Sequence, residues 1–179
     1  MKRSLEETAR RFDEIADEYD ENATEWLLRT QEVVLQTASP GPNDRVIDLG
    51  AGTGVLAAGL ATRVNEILAV DISPRMLEKI AERNLPNVET LLANFETFPN
   101  HYDGKADLVV SNFAMHHLDQ FEKTNAISKI ASVLSPKGRF VLGDLMFFEE
   151  TTLKIHAPTQ CFVDFYTVSP FSKKVRKVR

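Results

Sequence analysis

The chain has 179 residues, 43% of them hydrophobic and 26% charged, with a formal net charge of −5, which suits one domain, or one domain plus an appendage, with its own core. Its single cysteine, Cys161, excludes an internal disulfide framework and a cysteine-rich zinc site. Eight glycines and eight prolines exclude collagen-like and low-complexity chains, and the acidic balance argues against nucleic acid, whose phosphates call for a basic surface.

The opening MKRSLEETARRF carries positive charge but no apolar run behind it, so it does not read as a signal peptide. No stretch approaches the ~20 apolar residues that cross a bilayer. A cytoplasmic protein without a membrane partner is the expectation. Residues 1–39 place Leu5, Ala9, Phe12, Ile15, Ala16 and Tyr19 at helical spacing, and then Trp26, Leu27, Val33 and Val34. Ser4 followed by Glu7 reads as a capping box that starts the first helix. Pro40, Gly41 and Pro42 end the helical region.

From residue 40 to 144 short apolar runs alternate with helical stretches. Strands are predicted at 46–49, 67–70, 88–92, 108–111 and 140–142, and helices at 55–63, 74–83 and 122–134. Pro74 suits a first helical turn, where its missing N–H has no partner to lose, and Ser73 suits the N-cap. Near-continuously apolar strands separated by helices predict an α/β fold with a doubly wound, mostly parallel sheet covered on both faces.

The sharpest signal is VIDLGAGTG, residues 46–54, which ends a strand and opens a helix. Gly50 and Gly52, with Ala51 between them, let the backbone turn sharply and lie against a ligand, and Gly54 lets the helix start pack on the strand. The spacing is G-x-G-x-G rather than the dinucleotide G-x-G-x-x-G. Asp48 beside the turn repels phosphate and favours a cationic ligand carrying an ammonium or sulfonium. Asp71 ends the second strand, seventeen residues after Gly54, where an acid accepts hydrogen bonds from ribose hydroxyls, and Ile72 flanks an adenine ring. These features describe an adenosine site.

On these residues the chain resembles the class I S-adenosylmethionine-dependent methyltransferases, in particular the small-molecule type. VIDLGAGTG resembles the first motif of that family and AVDIS, residues 69–73, the second. LLANFETFP resembles the third, which places Asn94 and Phe95 at the adenine. ADLVVSNFAMHHLD resembles the fourth-strand motif, with Asn112 at the cofactor, and LSPKGRFVLGD the turn and fifth strand. RFDEIADEYDENA resembles the lid helix of the group, with Phe12, Ala16, Tyr19 and Asp20 at recurring positions.

The resemblance implies a helical lid over 1–39, a Rossmann-like core over 40–144, S-adenosyl-L-methionine as methyl donor, and no catalytic metal. The reaction it implies is direct displacement at the sulfonium methyl, governed by alignment and exclusion of water. His116, with His117 beside it, is the candidate general base, and Tyr19 the candidate that closes over the site. The loop 111–114 lacks the Asn-Pro-Pro-aromatic pattern of base and glutamine amino-methylation, and no Pro-Cys pair serves pyrimidine attack, so the implied substrate is a small molecule.

Residues 145–179 depart from the pattern. The family adds two strands after the fifth, the last antiparallel, whereas here a shortened segment ends in SKKVRKVR, leaving 16 basic against 26 acidic residues elsewhere. Residues 160–168 mix aromatic and β-branched residues and suit either a strand or a helix. FVDFYTVSPFSKKV resembles the helix region before the sixth strand, so the expectation is a sheet that stops at five strands. Its open edge calls for cover, which a homo-oligomer would supply. A non-catalytic S-adenosylmethionine or nucleoside-binding protein is the alternative function, and a nicotinamide oxidoreductase is disfavoured by the glycine spacing.

Overall fold

A computed structural model describes residues 4–145 and the backbone of residues 163–168. Helix α1, Leu5–Ile15, starts at the expected capping box: Ser4 Oγ accepts from Glu7 N, and Glu7 returns a carboxylate oxygen to Ser4 N at 2.7 Å. Helix α2, Glu25–Ala38, ends at Ser39 in the left-handed region, just before Pro40. Five parallel strands follow: β1 Arg45–Leu49, β2 Glu66–Asp71, β3 Val88–Leu92, β4 Ala106–Asn112 and β5 Leu134–Leu145. Helices α3 Val55–Ala61, α4 Pro74–Glu82 and α5 Gln120–Val133 make the crossovers. As expected, Ser73 caps α4 by accepting from Met76 N, with Pro74 at the first turn.

A sixth strand corrects the expectation of a five-stranded sheet. Strand β6, Val163–Val168, pairs antiparallel with β5 from Phe140↔Val168 to Leu145↔Val163, giving the order β3-β2-β1-β4-β5-β6. The segment matched by resemblance to a helix is a strand over these residues, in keeping with its aromatic and β-branched residues. The edge of β5 that a second copy was expected to cover is occupied by the chain itself. The remaining residues of the expected segment 145–179, the basic run included, lie outside the described ones.

Strand β5 also begins earlier than residue 140. Its register shifts between Ala106↔Leu134 and Leu108↔Arg139, so the Ser-Pro-Lys-Gly turn interrupts a longer pairing. Helix α5 starts at Gln120 because Asp119 and Glu122 form a second capping box, which moves its start two residues before the expected position.

Alternating strand residues feed two layers. Val46, Ile67, Leu108, Val110 and Val141 pack with Leu56, Ala57 and Leu60 of α3 and with Val34 and Ala38 of α2. Ile47, Leu49, Val109 and Phe140 pack the other way, against Phe98 and against Ala126, Ile130 and Val133 of α5. Helix α2, expected within a lid over 1–39, is therefore a wall of the core. Its last carbonyls, unsatisfied within the helix, accept from the Arg139 guanidinium at 2.7–2.8 Å, which ties α2 to β5. Helix α1 contributes no residue to that core layer.

Candidate functional site

The strand order reverses at β1, whose neighbours β2 and β4 carry the chain away in opposite directions. Crossovers leaving on opposite faces open a crevice at the carboxyl ends of these strands. A cavity of about 580 Å³ occupies that crevice. Its floor is the turn after β1, its sides are Asp71 and Ile72 at the end of β2, Asn94 and Phe95 after β3, and Asn112 and Phe113 at the end of β4, and Phe12 and Tyr19 roof it.

The glycines of the turn act differently from one another. At Gly50, φ +72°, a Cβ would stand 2.3 Å from Ala114 Cβ, so the turn closes only without a side chain. At Gly52, φ +55°, a Cβ would meet nothing within 4 Å, and the residue borders the cavity. Gly54 makes room for Ile80 of α4, whose Cγ1 would lie 2.8 Å from a Cβ, rather than for the strand. Ala51 is buried, with its N–H donating to Val70 O.

Asp71 is 8% exposed, and its two oxygens accept from Ser73 N at 2.9 Å and Gly52 N at 2.8 Å. Burial raises its pKa, against the lowering effect of the Ser73, Gly52 and Ile72 N–H groups. Asp48 is 1% exposed, and burial together with the Asp71 charge pushes its pKa up to about 7. Asp48 Oδ2 and Asn112 Oδ1 are buried with no hydrogen-bond partner. Both residues line a smaller chamber of about 40 Å³ beneath Tyr19, closed on the α2 side by Leu27 and Gln31. That space admits a small polar group, and two unpaired buried acceptors call for donors.

Asn94 borders the cavity, but its Oδ1 accepts from Glu96 N, Thr97 N and Thr97 Oγ1, so its amide N–H₂ is the group left for a ligand. Phe113 has φ +52°, unusual for a bulky residue, and its N–H donates to Gly143 O at 2.8 Å. Burial, then the charges of Asp71 and Asp20, raise the pKa of Tyr19, so its phenol stays protonated at neutral pH.

The histidine pair divides its tasks. His116, the sequence candidate for a base, does not border the cavity. Its backbone N and its Nδ1 both meet the buried Asp144 carboxylate, at 2.9 and 2.7 Å. His117 borders the cavity instead, with Phe12 of the lid edge-on at 5.5 Å between ring centroids. Sequence spacing cannot distinguish neighbours in a 3₁₀ turn, here Met115–His117.

Sequence reasoning passed over Asp13, Asp17, Thr53 and Asp144. Asp17 and Asp20 pair with Arg75, Lys79 and Arg83, and the legible signal was two charge stripes at helical spacing, whereas Asp13 accepts from the Ser73 hydroxyl and the Arg75 backbone N–H. Nothing in the sequence joined Asp144 to His116.

A family model described as a methyltransferase domain matches residues 46–138, just over half of the chain. An uncharacterized methyltransferase of Oceanobacillus iheyensis is 35% identical over 114 residues, covering 64% of this chain and 53% of that protein. One of Exiguobacterium sibiricum is 33% identical, covering 69% and 57%. The chain thus spans little more than half the length of these relatives. Among solved structures, YcgJ of Bacillus subtilis superposes with a TM-score of 0.62 at 29% identity, over 70% of this chain and 54% of that one.

Proposed function

Since the chain belongs to the class I S-adenosylmethionine-dependent methyltransferases, we propose that it binds S-adenosyl-L-methionine in the cavity and transfers its methyl group to a small molecule by direct displacement. When bound, the cofactor supplies a sulfonium methyl already activated towards attack, so the protein's part is alignment and exclusion of water.

The observation that carries this reading is the Asp71 carboxylate. Each oxygen takes one backbone N–H and keeps acceptor capacity, beside a Gly52 that leaves the wall open. Vicinal ribose hydroxyls match such a pair of acceptors. The unpaired Asp48 Oδ2 and Asn112 Oδ1 fit the cofactor's ammonium, which would satisfy both. Ile72 and Phe95 would flank the adenine, and the Asn94 amide, its oxygen already occupied, would donate to a ring nitrogen. Tyr19 and Phe12 roof the site. Where the acceptor is a hydroxyl or an acidic carbon, His117 takes the proton, while Asp144 anchors His116 and with it the turn.

Calorimetry tests the reading. S-adenosylhomocysteine should bind and NADH should not, and Asp71→Ala should weaken S-adenosylhomocysteine by about 1.5–3 kcal/mol for each charge-assisted hydrogen bond lost. A preference for NADH, or unchanged affinity in the variant, would overturn the assignment. Labelled methyl transfer into a metabolite extract tests turnover, and binding without transfer across broad extracts would favour the non-catalytic alternative.

A further inference from the structure

Two of the N–H groups that grip Asp71, those of Ser73 and Gly52, belong to segments that α1 and the turns after it hold. Ser73, whose N–H donates to Asp71 Oδ1, is fully buried and donates its hydroxyl to Asp13 Oδ1 at 2.6 Å. The same Asp13 oxygen accepts from Arg75 N at 3.2 Å. On the other side, Gly52 N donates to Asp71 Oδ2, and the next residue, Thr53, donates its hydroxyl to Asp20 Oδ1 at 2.6 Å. Arg83 closes that corner, with Nη2 on Asp20 Oδ2 at 2.7 Å and Nε on the Thr53 carbonyl at 2.6 Å. Asp17, between the two anchors, pairs with Arg75 and Lys79 at 3.0 and 2.8 Å.

We propose that Asp13 and Asp20 are positioning residues for the nucleoside site: through Ser73 and Thr53 they aim the Asp71 carboxylate, so that lid docking and ribose recognition form one cooperative unit. The inference rests on the reading of Asp71 as the ribose acid. Simple electrostatics does not account for the arrangement, because the Asp13 charge opposes ionisation of Asp71. An acid so placed is useful as an acceptor. Its two bonds, to the Ser73 hydroxyl and the Arg75 N–H, fix the start of α4, and that turn carries the Ser73 N–H. The Thr53 hydroxyl fixes the other jaw in the same way, and the ion pairs of Asp17 and Asp20 add the docking of the lid as a whole.

Substitution at Asp13 separates the acceptor from the charge. Asp13→Asn keeps an acceptor oxygen and removes the charge, whereas Asp13→Ala removes both. Thr53→Val removes the hydroxyl at the opposite jaw and leaves the Asp20–Arg83 pair. In calorimetry with the whole chain, Asp13→Ala and Thr53→Val should each weaken S-adenosylhomocysteine about tenfold, and Asp13→Asn should stay within about twofold of the wild type. Against the analogue lacking both ribose hydroxyls, all three variants should match the wild type, because the aimed carboxylate then has nothing to bind.

If Asp13→Ala binds S-adenosylhomocysteine as the wild type does, or weakens it and the analogue by one factor, the positioning role is overturned. So it is if Asp13→Ala and Asp13→Asn tighten binding alike, which would leave only a charge effect. If the wild type binds no S-adenosylhomocysteine, the nucleoside reading itself fails and this inference with it.

Discussion

Asp48 is an acid that the fold keeps uncomfortable. Its burial and the neighbouring Asp71 raise its pKa from the ordinary 3.8 to about 7, and one of its oxygens has no partner. Between those two pH values the native state holds a proton that the unfolded chain has released, so stability falls as pH rises from about 4 to about 7. Asp48→Asn should flatten that slope in urea unfolding of the free protein, and an unchanged slope would assign it to another group. An ammonium seated beside Oδ2 should reverse the preference and ionise the carboxyl. Binding of S-adenosylhomocysteine between pH 5.5 and 7 should therefore release protons, read from calorimetry in buffers of different ionisation enthalpy. Methylthioadenosine, which has no ammonium, should release fewer.

At the scale of elements, the sequence disclosed most where one local rule decided the outcome. The Ser4–Glu7 capping box, Pro74 at the start of α4, and the glycine turn after β1 are local, and the structure has them where the pattern puts them. Long-range packing decided the rest. Helix α2 has apolar positions like those of a lid, yet Val34 and Ala38 are fully buried against β4 and β5, and Arg139, 100 residues away, ties down its end. The pairing of β6 with β5 is likewise a tertiary choice, made by a segment whose composition left strand and helix open. The division between α1 and α2 is measurable. Val34→Ala removes fully buried methyl groups and should cost about 1–3 kcal/mol of global stability, with ligand affinity nearly unchanged. Phe12→Ala, under the roof of the cavity, should do the reverse, weakening S-adenosylhomocysteine more than it lowers the unfolding midpoint. If both variants act on stability alone, α1 belongs to the core as α2 does.

For the whole molecule, the reversal of strand order places an opening at the carboxyl ends of the strands, and the charge pattern makes that opening negative. Asp71 stands at the end of β2, Glu7, Glu96 and Glu122 border the cavity, and the chain carries −5 overall. Such a field acts on a ligand before contact and decays over about 10 Å at 0.1 M salt. S-adenosylmethionine bears one net positive charge near neutrality, whereas S-adenosylhomocysteine, without the sulfonium, bears none. Their association rates should therefore diverge at low ionic strength. In stopped-flow binding from 20 to 500 mM salt, the rate for S-adenosylmethionine should fall severalfold while that for S-adenosylhomocysteine stays nearly flat. The docking of the lid by exposed ion pairs gives a separate salt effect, but lid loosening changes the exchange of both ligands alike. The ratio of the two rates therefore isolates the field. Equal slopes for the two ligands would mean that the carboxylates around the opening act only after contact.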